Sequence, residues 1–148
     1  MQHEDYMSLA LEEARLAAQE GEVPVGAVMV HNGHILCRAH NTREHSKDPT
    51  AHAEILCMRR AAELLGTWHL TGCTLYVTLE PCPMCAGAMV MSQLDMCVFG
   101  ACDEKLGCCG SIYDLPGDKA LGGRTRWQAG VMQAECGKVL QDFFKAKR

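Results

Sequence analysis

The 148-residue sequence predicts an α/β protein: a single three-layer α/β/α domain over residues 1–148, with a mixed five-stranded sheet and helices on both faces. Three observations support this. Short runs rich in β-branched residues alternate with longer segments of helical periodicity, as expected of a sheet covered by helices. Asn32-Gly33 separates two of those runs and is a strong two-residue hairpin turn. The composition, 48% apolar and 22% charged, is that of an ordinary globular chain of one-domain size.

The elements follow in order. Residues 7–20 read as an amphipathic helix, with Met7, Ala10, Leu11, Ala14, Ala17 and Ala18 on one face and Gly21 at its end. Residues 23–30 and 35–39 are the two strands of the hairpin. The polar stretch 41–50, with Pro49, reads as a loop, and Thr50 is placed to cap a second helix over 51–65, stopped by Gly66. Residues 74–78 form a third strand. Pro81 opens a third helix over 82–92, and 96–99 form a fourth strand. The glycine-rich stretch 100–126 is expected to be mostly loop, with a short helix near 111–115. A fifth strand is expected over 127–132 and a last helix over 134–145, with Val139, Leu140 and Phe143 on one side.

No apolar run approaches the ~20 residues that span a bilayer, so no membrane role is expected. The polar start, Met1 to Asp5, lacks the basic and apolar regions of a secretory leader, and a cytoplasmic location is expected. Ten cysteines in such a chain read as reduced thiols, most of them small buried hydrophobes. Cys108-Cys109, between Gly107 and Gly110, belongs to that set but is the pair with room for exposure. The net charge of −4 argues against a broad nucleic-acid surface and leaves room for a local one.

The chemistry is carried by His52-Ala53-Glu54 and Pro81-Cys82-Pro83-Met84-Cys85. Cys82 and Cys85 are three apart, on one face of a helix start, where free amides favour thiolate over thiol. With His52 they make three zinc ligands. A catalytic zinc uses three and keeps its fourth position for water, whereas a structural zinc uses four. Glu54 lies near enough to work on that water without binding the metal. The set reads as a device that attacks an electron-poor carbon with zinc-bound hydroxide, Glu54 ferrying protons and ammonia leaving. The competing non-enzymatic reading is a structural zinc module with a fourth cysteine ligand. No Walker-type phosphate loop and no GxSxG elbow is present.

These residues resemble the zinc-dependent cytidine and deoxycytidylate deaminase superfamily, and within it the tRNA adenosine deaminases, whose H-x-E…P-C-x-x-C chemistry is a known pattern. The likeness covers nearly the whole chain. It includes residues 23–28 (VPVGAV), 48–54 (DPTAHAE), 74–82 (TLYVTLEPC), 85–88 (CAGA), 98–101 (VFGA) and Asp142-Phe143-Phe144. The resemblance implies a cytidine deaminase-like fold, one Zn2+ per subunit, a homodimer, and conversion of the wobble adenosine of a tRNA anticodon loop to inosine. It further implies that Asn41 holds the flipped nucleoside. Pro24 and Val25 line the base pocket, and Ala53 N–H meets the base. Asp103, Lys105 and the C-terminal helix, with Phe143, Phe144, Lys147 and Arg148, contact the RNA. Affinity for RNA is expected to depend on salt, partly through Lys145, Lys147 and Arg148. The alternative within the superfamily is a free-base or nucleoside deaminase, guanine first. The chain departs from the family pattern at Gln93, Cys102, Cys108-Cys109 and Gly122-Gly123, in or near segments expected to touch RNA or to pack.

Overall fold

The computed structural model describes residues 1–147. Five strands form one sheet in the order β2-β1-β3-β4-β5. β1 (Gly26–His31) and β2 (His34–His40) form the hairpin, with His31 opposite His34. Asn32 and Gly33 both take positive φ, 50° and 77°, which suits the favoured hairpin turn. β1 is also antiparallel to β3 (Cys73–Leu79). β3, β4 (Met96–Ala101) and β5 (Arg126–Gln128) run parallel, so the sheet is mixed as expected.

Helices cover both faces. α1 (His3–Gln19) and α5 (Gln133–Ala146) share one face, over a core that includes Met7, Leu11, Val28, Tyr76 and Val98. α3 (Ala53–Leu65) and α4 (Pro83–Met91) share the other, over Met29, Leu75, Met89 and Phe99. Phe99 and Leu75 are fully buried. Burial of side chains of this size contributes about 1.5–3 kcal/mol each.

Several expectations shift by a residue or a turn. α1 begins four residues earlier than its periodicity predicts. β1 begins only at Gly26, because residues 23–25 leave the sheet to pass beneath the site. A single-turn helix, α2 (Arg43–Ser46), sits inside the predicted loop. Its amides find a partner in a carboxylate distant in sequence, a contact that local pattern does not encode. α3 is capped by His52 rather than Thr50, and α4 by Cys82, so Pro83 is the proline at N1. Both caps have extended backbone and make no side-chain cap bond, which leaves their side chains free for other work.

The short helix expected near 111–115 is replaced by a bridge between Cys109 and Asp114, and a single 3-10 turn lies at Lys119–Leu121. β5 is three residues long rather than six. Cys108 and Cys109 are both buried, while Cys102 is exposed. No described helix is long and apolar enough to cross a membrane.

Candidate active site

The end of β2, the start of β1, and the ends of β3 and β4 meet at one edge of the sheet, as the register pairs Gly26 with His40 and Leu79 with Ala101. This is the carboxyl edge of the parallel strands, where α/β proteins place their ligands. The starts of α3 and α4 open there. Their free N–H groups present positive potential to whatever lies between them.

His52, Cys82 and Cys85 converge at that point. His52 Nδ1 is 3.5 Å from the Sγ atoms of both Cys82 and Cys85. The three donor atoms lie within 4.8 Å of one another, and no fourth His, Cys, Asp or Glu joins the group among the described residues. A tetrahedral zinc with Zn–S near ~2.3 Å and Zn–N near ~2.05 Å would set nitrogen and sulfur about 3.5 Å apart. The group therefore fits a soft divalent cation. A four-ligand structural centre does not form, since the other cysteines lie elsewhere.

The electrostatics agree. A hydrogen bond from the Cys85 thiol, together with His52, lowers the pKa of Cys82 to about 4 against the cost of burial. The same Cys85–Cys82 bond and burial raise the thiol of Cys85. The bond to Cys82 also raises His52, against desolvation. A bound cation would displace the protons these three groups share, because thiolate and neutral imidazole are the forms that ligate a metal. The other ring nitrogen of His52, Nε2, faces Arg43 Nη1 at 3.4 Å.

Glu54 stands in the first turn of α3 and is 4% exposed. Burial pushes its pKa up to about 7, against the pull of its own backbone N–H and of His52. It lines the same cavity of about 790 Å³ as His52 and Cys82.

The residues implied by resemblance divide. Val25, Asn41, Ala53, Asp103, Lys105 and Phe144 line the cavity. Pro24 is buried and lines neither this cavity nor the adjoining one, and Val23 takes its place on the wall. Phe143 and Lys147 face the adjoining cavity of about 450 Å³, which shares Val23, Asn41, Arg43 and Phe144 with the first. Lys147 Nζ lies 5.1 Å from the Phe143 ring centre. Arg148 lies outside the described residues.

Asn41 is buried. Its Nδ2 donates to Val23 O at 3.2 Å, and its Oδ1 accepts from Arg43 N at 3.2 Å. Asp103 Oδ1 accepts from the backbone N–H groups of Lys105 and Leu106, so it shapes its own turn.

Sequence reasoning missed three residues. Glu22 is buried and accepts from Glu44 N, His45 N and His45 Nδ1, fixing α2. Burial alone would raise its pKa, but those bonds outweigh burial and lower it. Glu80 is likewise buried, under the opposite wall. Arg43 stands between the two cavities. For Glu80 a signal existed, a charged residue directly after the largely apolar third strand and before Pro81-Cys82. Glu22 and Arg43 carried none.

A sheet of this order, with such a donor set and a buried carboxylate at its edge, suits a hydrolytic deaminase. A family model described as MafB19-like deaminase matches residues 1–148, and the chain belongs to that family. The chain is similar to the tRNA-specific adenosine deaminase of Bacillus subtilis (strain 168), 50% identical over 147 residues, covering 99% of this chain and 91% of that one. A structure from studies of A-to-I editing by tRNA:A34 deaminases at the wobble position of transfer RNA superposes with a TM-score of 0.89. It is 39% identical, over 92% of this chain and 99% of that chain. The guanine deaminase of Bacillus subtilis superposes with a TM-score of 0.66, at 38% identity over 69% of this chain and 66% of that chain. The α/β deaminase fold expected from the sequence is borne out.

Proposed function

We propose that this protein hydrolyses adenosine to inosine at the wobble position, 34, of tRNA, releasing ammonia. The observation that carries the reading is the 50% identity to a tRNA-specific adenosine deaminase across 99% of the chain. The donor set and the buried Glu54 are the chemistry such a reaction needs.

A zinc ion held by His52, Cys82 and Cys85, one per subunit, would supply the acidity that makes water a nucleophile near neutral pH. Glu54 would take one proton from the attacking water and pass it to a ring nitrogen of the purine, then take the second from the new hydroxyl and give it to the departing amine, so that the carbonyl forms as ammonia leaves. Val23, Val25 and Ala53 form a largely apolar wall for the base, with Ala53 N–H at the start of α3 facing it. Asn41, already bonded through one amide hydrogen to Val23, offers its second to the nucleoside. Lys105, Phe144, Lys147 and Arg148 meet the anticodon loop, whose bases are splayed out at low cost. The working form is a cytoplasmic homodimer of single-domain subunits.

The test is to incubate the protein with tRNA carrying adenosine at position 34 and read inosine by sequencing. Conversion abolished by Glu54→Ala is the expected result. The likeness to guanine deaminase favours the second reading, a free-base deaminase. Rapid ammonia release from guanine, with tRNA left unconverted by zinc-loaded protein, would replace the first reading with the second.

A further inference from the structure

Glu80 lies between the end of β3 and the metal group, two residues before Cys82. It is 2% exposed. A carboxylate so deeply buried must be paired or fully hydrogen-bonded. Its partners all come from one segment. Oε1 accepts from Asp103 N at 3.0 Å and from the Ser111 hydroxyl, and Oε2 accepts from Cys109 N at 2.9 Å and Ser111 N at 3.1 Å. Backbone bonds run alongside, from Glu80 N to Ala101 O and from Cys108 N to Pro81 O, at 2.8 and 2.9 Å. Gly107 closes against the carboxylate, and a Cβ there would overlap both Glu80 and Asp103 O. Segment 101–111, the cavity wall that carries Asp103 and Lys105, is thus wrapped around residues 80–81, which lead directly into the metal knuckle.

We propose that Glu80 is a positioning residue: by gathering four donors of segment 103–111 onto one carboxylate, it fixes the wall bearing Asp103 and Lys105 at a set distance from the metal group, and so sets the grip on substrate RNA. The part concerning RNA rests on the tRNA reading above; the placement of the wall does not.

The chemistry of glutamine makes the assignment testable. In Glu80→Gln the amide oxygen can still accept from Cys109 N and Ser111 N. The new NH2 can donate to the Ser111 hydroxyl, which turns to accept. Only Asp103 N–H is left facing a donor. The expected outcome is a folded protein with unchanged metal content. Its amide hydrogen exchange is faster over 103–107, and its KM for tRNA rises about tenfold while kcat stays within about twofold, the scale of one lost bond to a charged acceptor. Gly107→Ala, which pushes the wall off an intact carboxylate, is expected to give the same pattern. Ser111→Ala removes one of the four bonds and leaves Asp103 held, so its KM stays near wild type.

Unchanged exchange over 103–107 in both Glu80→Gln and Gly107→Ala overturns the proposal. So does a fall in kcat with loss of metal in both, because Glu80 would then serve the metal group instead of the wall. If Glu80→Gln does not fold, Gly107→Ala decides alone. If wild type leaves tRNA unconverted, the tRNA reading fails, and the exchange measurement still decides whether Glu80 holds the wall.

Discussion

His52, Glu54 and Cys82, on the floor of the cavity, and Cys85, buried beside them, come from the starts of two helices and are buried or half-buried. Arg43, Lys105 and Phe144, on its rim, are exposed and come from a one-turn helix, a loop and the C-terminal helix. On the floor, cap geometry a few residues long fixes where each ligand points, and the sheet brings the two helix starts together so that His52 meets the two sulfurs. On the rim, two buried carboxylates, Glu22 and Glu80, hold α2 and segment 103–111, each far in sequence from what it holds, while Phe144 is carried by α5. A floor built that way makes chemistry insensitive to the loops, while a rim built that way can change substrate without disturbing the reaction.

The comparison breaks most visibly if the floor can be emptied without loss. Removing metal with a chelator is expected to take activity to background while far-ultraviolet circular dichroism stays native, since neither apolar core includes a metal donor. Loss of the folded signal on chelation would make the metal structural. Glu54→Gln comes next. General acid–base groups contribute about 10²–10⁴-fold, so a fall in kcat of that size is expected, with KM and metal content little changed.

Rim substitutions are expected to act on binding. Phe144→Ala should weaken tRNA affinity by about 1–3 kcal/mol if the ring stacks on a base, with kcat nearly constant; equilibrium filter binding measures it. Lys105→Ala should weaken binding to all anticodon loops alike and reduce the salt slope by about 1, read from affinities at several salt concentrations. A kcat effect as large as that of Glu54→Gln would erase the distinction between floor and rim.

The smallest effect concerns pH. The pKa of Glu22 is lowered in the folded chain, so its contribution to stability is fully present above the ordinary carboxylate value of about 4.3. It is lost as pH falls through the lowered folded value. The difference in melting temperature between wild type and Glu22→Gln should therefore shrink from pH 6 toward pH 3. A constant difference would mean that the carboxylate charge does not hold α2.

The floor was legible in the sequence, since His-x-Glu and Cys-x-x-Cys each aim their donors by local geometry, although the fold is what brings the two motifs together. Even there the caps were off by a step: Thr50 was expected to cap α3, but His52 does, which keeps its imidazole off the helix and turned toward the sulfurs. The hairpin at Asn32-Gly33 was equally legible, because the turn's positive φ angles admit few residue types. The rim was not. Asn41 and Phe144 were named from resemblance and do line the cavity, whereas Pro24 does not and Arg43 was unforeseen.

The sequence by itself determined the alternation of strands and helices, the antiparallel pair, and the four residues of the floor, because short-range sterics and helix-end electrostatics act within a few residues. Only the tertiary structure decided where the walls stand. Glu22 and Glu80 become anchors only when the fold removes them from water, and a carboxylate without solvent must draw distant N–H groups to itself.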